Sequence, residues 1–409
     1  MMRILYTFFI HIYFLLIRIA GLFNKKARLF SEGRKTNSLR LPALDQTTKY
    51  WFHCASLGEF EQARPVIEKI KLQDPDTGIV ITFFSPSGYE IRKHYEFADH
   101  ICYLPKDTPD AVNAFIEQLK PSKVFFVKYE FWYNLIAALH RRHIPMYLIS
   151  GIFRKDQYFF KPFGTWFLNH FNMFDHFFVQ EESSVNLLRD KGIQNVILAG
   201  DTRFDRVSQI VKNAPTLPTI EQFLSGRKAM IIGSNWPEDD KIVLPLLSQL
   251  PDELCFIVAP HNLGEKSIAD LEKKCTLSAI RYSTFEQRPS HTARILIIDN
   301  MGMLSSIYQY GILAYIGGGF GANVHNVLEA ATWGLPTIFG PNNKKFHEIQ
   351  ELKKIEAAFE INNSEELRDI LVTLLEHETR RKECSEKATQ YVTDHQGATE
   401  IILKGIARS

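Results

Sequence analysis

Ser56 and Glu59 in "CASLGEFE", and Asn326 and Glu329 in "HNVLEAA", each stand three residues apart just after an apolar run. A carboxylate so placed has two uses. It can close a capping box, in which the Ser or Asn side chain and the Glu carboxylate satisfy orphan N–H groups of a helix's first turn. It can also do chemistry. At the end of a strand, Glu59 is placed to take the proton of an attacking hydroxyl, worth roughly 10²–10⁴-fold in rate. A helix N-terminus favours the ionised carboxylate, so the position predicts a deprotonated Glu59. Glu329 can reach ribose hydroxyls while the helix start faces a phosphate, an arrangement suited to a single nucleotide. The spacing fits cap and chemistry alike.

The second pair belongs to a glycine-rich stretch, Tyr315 to Pro341, that reads strand, turn, helix, strand. Gly317-x-Gly319-x-x-Ala322 matches the dinucleotide fingerprint in form. The acid that should follow about 20 residues on would fall in "TIFGP", which has none. Ser85, Ser87 and Gly88 are candidate sugar contacts or simply a turn. His53, His261 and His325 stand near these motifs. His53 ends a strand and reads as packed or hydrogen-bonded, and His325 can reach a nucleotide or close its turn. No DxD pair or His/Asp/Glu cluster argues for a metal, and no cofactor is expected.

These residues need a scaffold. Seven short apolar runs recur between residues 45 and 205: "KYWFHCA", "TGIVITFF", "HICYLP", "SKVFFV", "IPMYLIS", "FDHFFVQ" and "NVILAG". Segments with helical spacing lie between them, which predicts parallel strands in a doubly wound domain. After the Pro-containing connection "QIVKNAPTLPTIEQFLSGR" the pattern restarts: "KAMIIG", "LCFIVAP", "LSAIRYS", "RILIID", "GILAYIG", "LPTIFG" and "AAFEI". The expected organisation is an anchor segment at 1–40, one Rossmann-like α/β domain at 41–210 and a second at 211–409. Facing each other, two such domains would bind ligand in a cleft at the carboxyl ends of their strands.

With 409 residues, two cores of ordinary domain size are affordable. A net charge of +2 gives no overall field for nucleic acid, and none is expected as a partner. The charge is uneven: residues 1–40 hold eight Lys and Arg against the single acid Glu32. Most follow the apolar stretch Ile4 to Phe23, long enough to span the roughly 30 Å of a bilayer core. His11 and Arg18 interrupt it, so a span and a helix lying in the membrane surface both fit. Lys25, Lys26 and Arg28 place the rest of the chain on the cytoplasmic side. Five scattered cysteines without a C-x-x-C pattern predict reduced thiols. The aromatic run Tyr158 to Phe174 reads as a core helix or a second membrane-facing surface.

"SLGE", "GGGFG…HNVLEAATWGLPTIFGPNNKKFHEI" and the apolar N-terminus, with "TFFSPSG", "YEFWYNL", "GDTRFD", "GSNWPEDD" and "DNMGML" in order, resemble the Kdo transferases. That family moves 3-deoxy-D-manno-octulosonic acid (Kdo) in lipopolysaccharide assembly. The resemblance implies a GT-B glycosyltransferase with two facing Rossmann-like domains and an N-terminal membrane-associated helix. It implies inverting transfer from a CMP-Kdo donor to a lipid A precursor (lipid IVA) at the cytoplasmic face of the inner membrane. It makes Glu59 the proton acceptor, and Glu130 and Arg203 transition-state stabilisers, Arg203 also as a bidentate partner for the sugar carboxylate. CMP would be held by Pro260-His261, Met301-Gly302-Met303 and Asn326-Val327-Leu328-Glu329. Three positions depart from the family pattern: His261 where Arg is usual, Met303 where an acid is usual, and Lys128 where an acid is frequent. A nucleotide-sugar 2-epimerase, another glycosyltransferase, or a binding protein without turnover would share much of this pattern.

Overall fold

The computed structural model describes residues 1–36, 44–290, 292–321 and 323–407. The expected boundary at 40/41, Arg40 and Ala322 lie outside them. Each apolar run forms a strand. The first sheet holds β1 (Lys49–Cys54), β2 (Gly78–Phe83), β3 (His100–Tyr103), β4 (Lys123–Val127), β5 (Met146–Gly151), β6 (His176–Val179) and β7 (Val196–Leu198). The second holds β8 (Lys228–Asn235), β9 (Leu254–Pro260), β10 (Ala279–Arg281), β11 (Ile295–Ile297), β12 (Gly311–Ile316), β13 (Thr337–Phe339) and β14 (Ala358–Glu360). All neighbouring pairs are parallel, as runs apolar on both faces require when helices cover each side. Along β1, Trp51 joins the core on one face while Phe52 and Cys54 join the core on the other.

The strand orders are β3-β2-β1-β4-β5-β6-β7 and β10-β11-β9-β8-β12-β13-β14. Each sheet therefore reverses its order once, between β1 and β4 in the first and between β8 and β12 in the second. Open α/β sheets bind ligands outside the carboxyl ends of strands at such switch points.

The chain divides into two compact units, Met1–Arg206 with Gln396–Ser409, and Val207–His395. The expected domains ran in chain order, 41–210 and 211–409, but the last helix, Ala398–Ala407, packs with the first unit. Its Ile402 and Ile406, four residues apart, enter the core beside Phe52 and Phe125. The Asp205 carboxylate accepts from the N–H groups of Gly397 and Thr399 at 2.6 and 2.7 Å. Chain order carries no signal for where a final helix docks.

At the other end, α1 (Met2–Ala20) and α2 (Lys25–Thr36) also belong to the first unit. Although α1 is long and apolar enough to cross a membrane, one stripe of it is packed on protein. Tyr6, Ile10, Phe14 and Ile17 meet Phe30, Phe84 and Trp132. Polar groups fix the contact: the Tyr6 hydroxyl donates to Asp107 Oδ2 at 2.7 Å and Arg3 Nε to Asn134 Oδ1 at 2.8 Å. Asp107 is buried and also accepts from the backbone N–H groups of Asn134 and Leu135. The opposite face exposes Ile4, Leu5, Phe8, Phe9, Leu15, Leu16 and Ile19. At 100° per residue, His11 and Arg18 fall on one edge of that face. This is the disposition of a helix lying along a surface.

The aromatic run 158–174 is not one helix. It breaks into short turns, Tyr158–Phe160, Pro162–Gly164, Thr165–Leu168 and Asn169–Met173. Phe159, Phe171 and Phe174 are buried in the core and Phe163 is exposed.

Candidate functional site

In the first unit α3 (Leu57–Gln73) starts two residues after β1 ends, which brings Glu59 to the switch point. Only half of the expected capping box forms. Ser56 has extended backbone, but its hydroxyl makes no cap bond, whereas the Glu59 carboxylate accepts the backbone N–H groups of Ala55 and Ser56. The expected ionised state is also corrected. Burial, then the nearby charge of Glu130, push the Glu59 carboxyl up to about 8, and those two N–H groups and Lys128 pull it down by less. Desolvation beats the helix start because the side chain is only 8% exposed.

Glu130 follows β4, on the other side of the switch point. The Trp132 indole N–H lies between two acceptors, 3.0 Å from His53 Nε2 and 3.2 Å from Glu130 Oε2. His53 Nδ1 is 3.2 Å from the Thr82 carbonyl oxygen and 3.0 Å from Thr82 Oγ1. A carbonyl can only accept, so the contact with Thr82 calls for a proton on His53 Nδ1 and leaves Nε2 facing the indole N–H. His53 is a positioning residue for Trp132 and Glu130. Lys128, at the end of β4, has left-handed backbone at φ +62°, as does Ser234 at the end of β8 at +52°. Both cost local strain, and both flank a switch point.

Arg203 opens the helix Thr202–Lys212 after β7. Two of its nitrogens, Nε at 2.7 Å and Nη2 at 2.6 Å, are paired with Asp201 Oδ2. A sugar carboxylate is the ligand expected for this guanidinium, and within the chain Asp201 is a carboxylate that it already meets. Burial pushes the Asp201 carboxyl up, but the Arg203 charge and hydrogen bonds win and hold it below its ordinary value. Gln62, one turn beyond Glu59 on α3, donates to Asp201 Oδ1 at 3.3 Å, and its carbonyl accepts the Thr202 hydroxyl at 2.6 Å. The Asp201–Arg203 pair is thereby fixed to the start of α3. Ser85 caps the helix α4 (Pro86–Arg92), its hydroxyl accepting the Ser87 N–H at 3.3 Å and lying 2.8 Å from the Ser87 hydroxyl, and Gly88 is buried against Phe83.

In the second unit the expected nucleotide residues follow the carboxyl ends of β11, β9 and β12, which lie with β8 as four adjacent strands. Pro260 ends β9 and His261 follows; Met301, exposed, Gly302 and Met303 follow β11. At the switch point Trp236 stacks on His261 with centroids 4.2 Å apart and planes at 17°. Its indole N–H donates to His325 Nε2 at 2.9 Å, and the two imidazoles are 4.8 Å apart. Burial lowers both histidines, and for His325 the neighbouring His261 charge adds to it. Near neutral pH this is an uncharged aromatic platform, beside a cavity of 150 Å³ lined by Asn235, Trp236, Pro260 and His261.

The helix expected to begin near 326 is a single turn, Leu328–Ala331, with Val327 and Leu328 buried. The Asn326 amide donates to Glu329 Oε1 at 3.1 Å and its oxygen accepts the Leu328 N–H at 3.2 Å. So short a helix has little dipole to offer a phosphate. The glycines before it serve backbone packing: a Cβ at Gly317 would stand 2.3 Å from the Ser234 carbonyl, and one at Gly319 2.5 Å from the Gly340 nitrogen. The Gly318 N–H is already given to Asp239 at 2.8 Å. Trp132, Asp201 and Trp236 organise these sites. Sequence reading assigned them no role, though each sits inside a landmark stretch: "YEFWYNL", "GDTRFD" and "GSNWPEDD".

Two parallel α/β sheets, each with polar residues gathered at its switch point, define a GT-B architecture. Residues 25–206 match the family model "3-Deoxy-D-manno-octulosonic-acid transferase (kdotransferase)". The chain is 27% identical over 382 residues to the 3-deoxy-D-manno-octulosonic acid transferase of Rickettsia felis, covering 91% of this chain and 82% of that one. It is 28% identical over 332 residues to that of Aquifex aeolicus, covering 80% and 85%. The fold is shared with the UDP-GlcNAc 2-epimerase of Neisseria meningitidis at a TM-score of 0.62 and 14% identity, over 88% of this chain and 100% of the other. The resemblance read from the motifs is borne out: the chain is a glycosyltransferase, similar over most of its length to named Kdo transferases.

Proposed function

We propose that the protein transfers Kdo from CMP-Kdo to a lipid A precursor with inversion at the anomeric carbon, Glu59 acting as general base. The acceptor hydroxyl attacks the anomeric carbon from the face opposite the phosphate. Its proton passes to Glu59 as the new C–O bond forms and the bond to CMP breaks. The observation that carries the reading is the Glu59 carboxyl, raised to about 8 at the switch point of the first sheet by burial and by Glu130. A base whose pKa lies near the working pH combines strength with availability, and roughly a tenth of such a group is ionised at pH 7.

Glu130 stabilises cationic character at the sugar, and Arg203 negative charge on the departing phosphate. Pro260-His261, Met301 to Met303 and Asn326 to Glu329 hold the nucleotide, with Trp236 and the two histidines as a surface for its planar base. The exposed face of α1 rests on the cytoplasmic surface of the inner membrane, among the headgroups, where His11 and Arg18 stay wet. Packing of the opposite stripe on protein supports a surface helix over a span.

The test incubates the purified protein with a lipid A precursor and CMP-Kdo generated in situ, and weighs the lipid product. A gain of one or more Kdo units is expected. An unchanged lipid with consumed CMP-Kdo, or transfer by the Glu59→Gln protein at the parent's rate, contradicts the reading.

A further inference from the structure

One cavity of the first unit has no part in the transfer described above. It measures 370 Å³ and lies between α1, α2 and the segment 84–86, with walls of Tyr13, Ile17, Ala20, Ala27, Phe30 and Phe84. Around α1, Ala20 and Tyr13 stand at the edge of the exposed apolar face formed by Phe9, Leu16 and their neighbours. The exposed apolar face of α1 therefore runs on to the rim of the cavity.

The inner wall leads towards the candidate site. The Phe84 ring packs on Trp132 with centroids 4.7 Å apart, and Trp132 is the residue whose indole lies between His53 and Glu130. Lys26 also lines the cavity, and it is flanked in sequence by Lys25 and Arg28. These cations suit an anionic headgroup at the level of the membrane surface.

We propose that this cavity binds one acyl chain of the anionic, acylated glycolipid acceptor and so directs its sugar towards Glu130. The inference rests on the functional reading above for the identity of the occupant. An acceptor chain fits better than one from a bulk phospholipid because only two packed rings, Phe84 and Trp132, separate the cavity from Glu130, where only a glycolipid has a sugar hydroxyl to present.

The experiment compares the parent with Ala27→Trp and Ala20→Trp, both at partly or fully exposed positions that a larger ring can occupy while filling the cavity. For the acylated acceptor each variant is expected to raise KM about tenfold, the effect of losing burial of two or so methylene groups, with kcat within twofold of the parent. For the same glycan stripped of its acyl chains, KM is expected to be unchanged. An equal change for both acceptors, or none for either, overturns the proposal.

A second readout needs no turnover: an acceptor with a photoreactive diazirine at an acyl-chain end should label residues 13–30 and 84–86 of the parent and not of Ala27→Trp. Labelling confined to Phe8, Phe9 and Leu16 overturns the proposal. Equal labelling by a phospholipid probe that the acceptor does not displace overturns the choice of occupant. Cavity labelling by the acceptor in a protein that transfers no Kdo supports the site and defeats the transferase reading instead.

Discussion

The two switch points are built alike and furnished differently. Between β1 and β4 stand the buried acid Glu59, the half-buried Glu130 near it, and the Asp201–Arg203 pair tied to the same helix through Gln62. Between β8 and β12 stand Trp236, His261 and His325, stacked and uncharged near neutral pH. One site holds protons and charges; the other offers a flat surface. The difference teaches that the sheet topology sets where a site lies, while a handful of strand-end residues decides which half of a reaction it serves.

Breaking the first site should cost most. Glu59→Gln keeps the size of the side chain and loses the base, so transfer is expected to fall roughly 10²–10⁴-fold in a single-turnover assay, with donor binding unchanged. Arg203→Lys comes next. An ammonium cannot keep both contacts now made by Nε and Nη2 with Asp201, and kcat should fall roughly 10–100-fold, in line with about 1.5–3 kcal/mol for a hydrogen bond to a charged group.

Breaking the second site should act on binding alone. Trp236→Ala removes the ring on which His261 lies and the N–H that His325 accepts, and the KM for the nucleotide sugar should rise about tenfold, the effect of an aromatic stack worth about 0.5–1.5 kcal/mol. The pH dependence of kcat should stay where it was, which separates the two sites. The smallest effect is expected where α1 docks on the first unit. Tyr6→Phe removes one hydrogen bond to Asp107, which keeps its Asn134 and Leu135 N–H partners, and should lower stability to urea by about 1 kcal/mol without changing kcat.

Much of this was legible from residues. Apolar runs buried on both faces read directly as parallel strands, and each of them forms one. Glu59 was legible as a residue just past a strand end, because that position follows from local order alone. Its charge state was not: spacing shows a helix start, but desolvation and the approach of Glu130 arise only when β4 lies beside β1. Arg203 was singled out only through the resemblance, and its pairing with Asp201 depends on rotamers that no spacing encodes. In the second unit the glycines resembled a ligand loop, yet Gly317 and Gly319 are small because other backbone passes within van der Waals distance. The docking of Ala398–Ala407 on the first unit and the packed stripe of α1 likewise needed tertiary structure, since an apolar helix face does not name its partner.

The most direct measurement is the pH profile of kcat/KM for the acceptor in the parent and in Glu130→Gln. With Glu59 as the base, the parent's rate should rise with pH to a plateau above an inflection near 8, because the carboxyl must lose its proton to accept another. Removing the Glu130 charge should move that inflection towards lower pH. A rate that is already level from pH 6 upwards in the parent, or an inflection that stays in place in Glu130→Gln, would contradict the assignment.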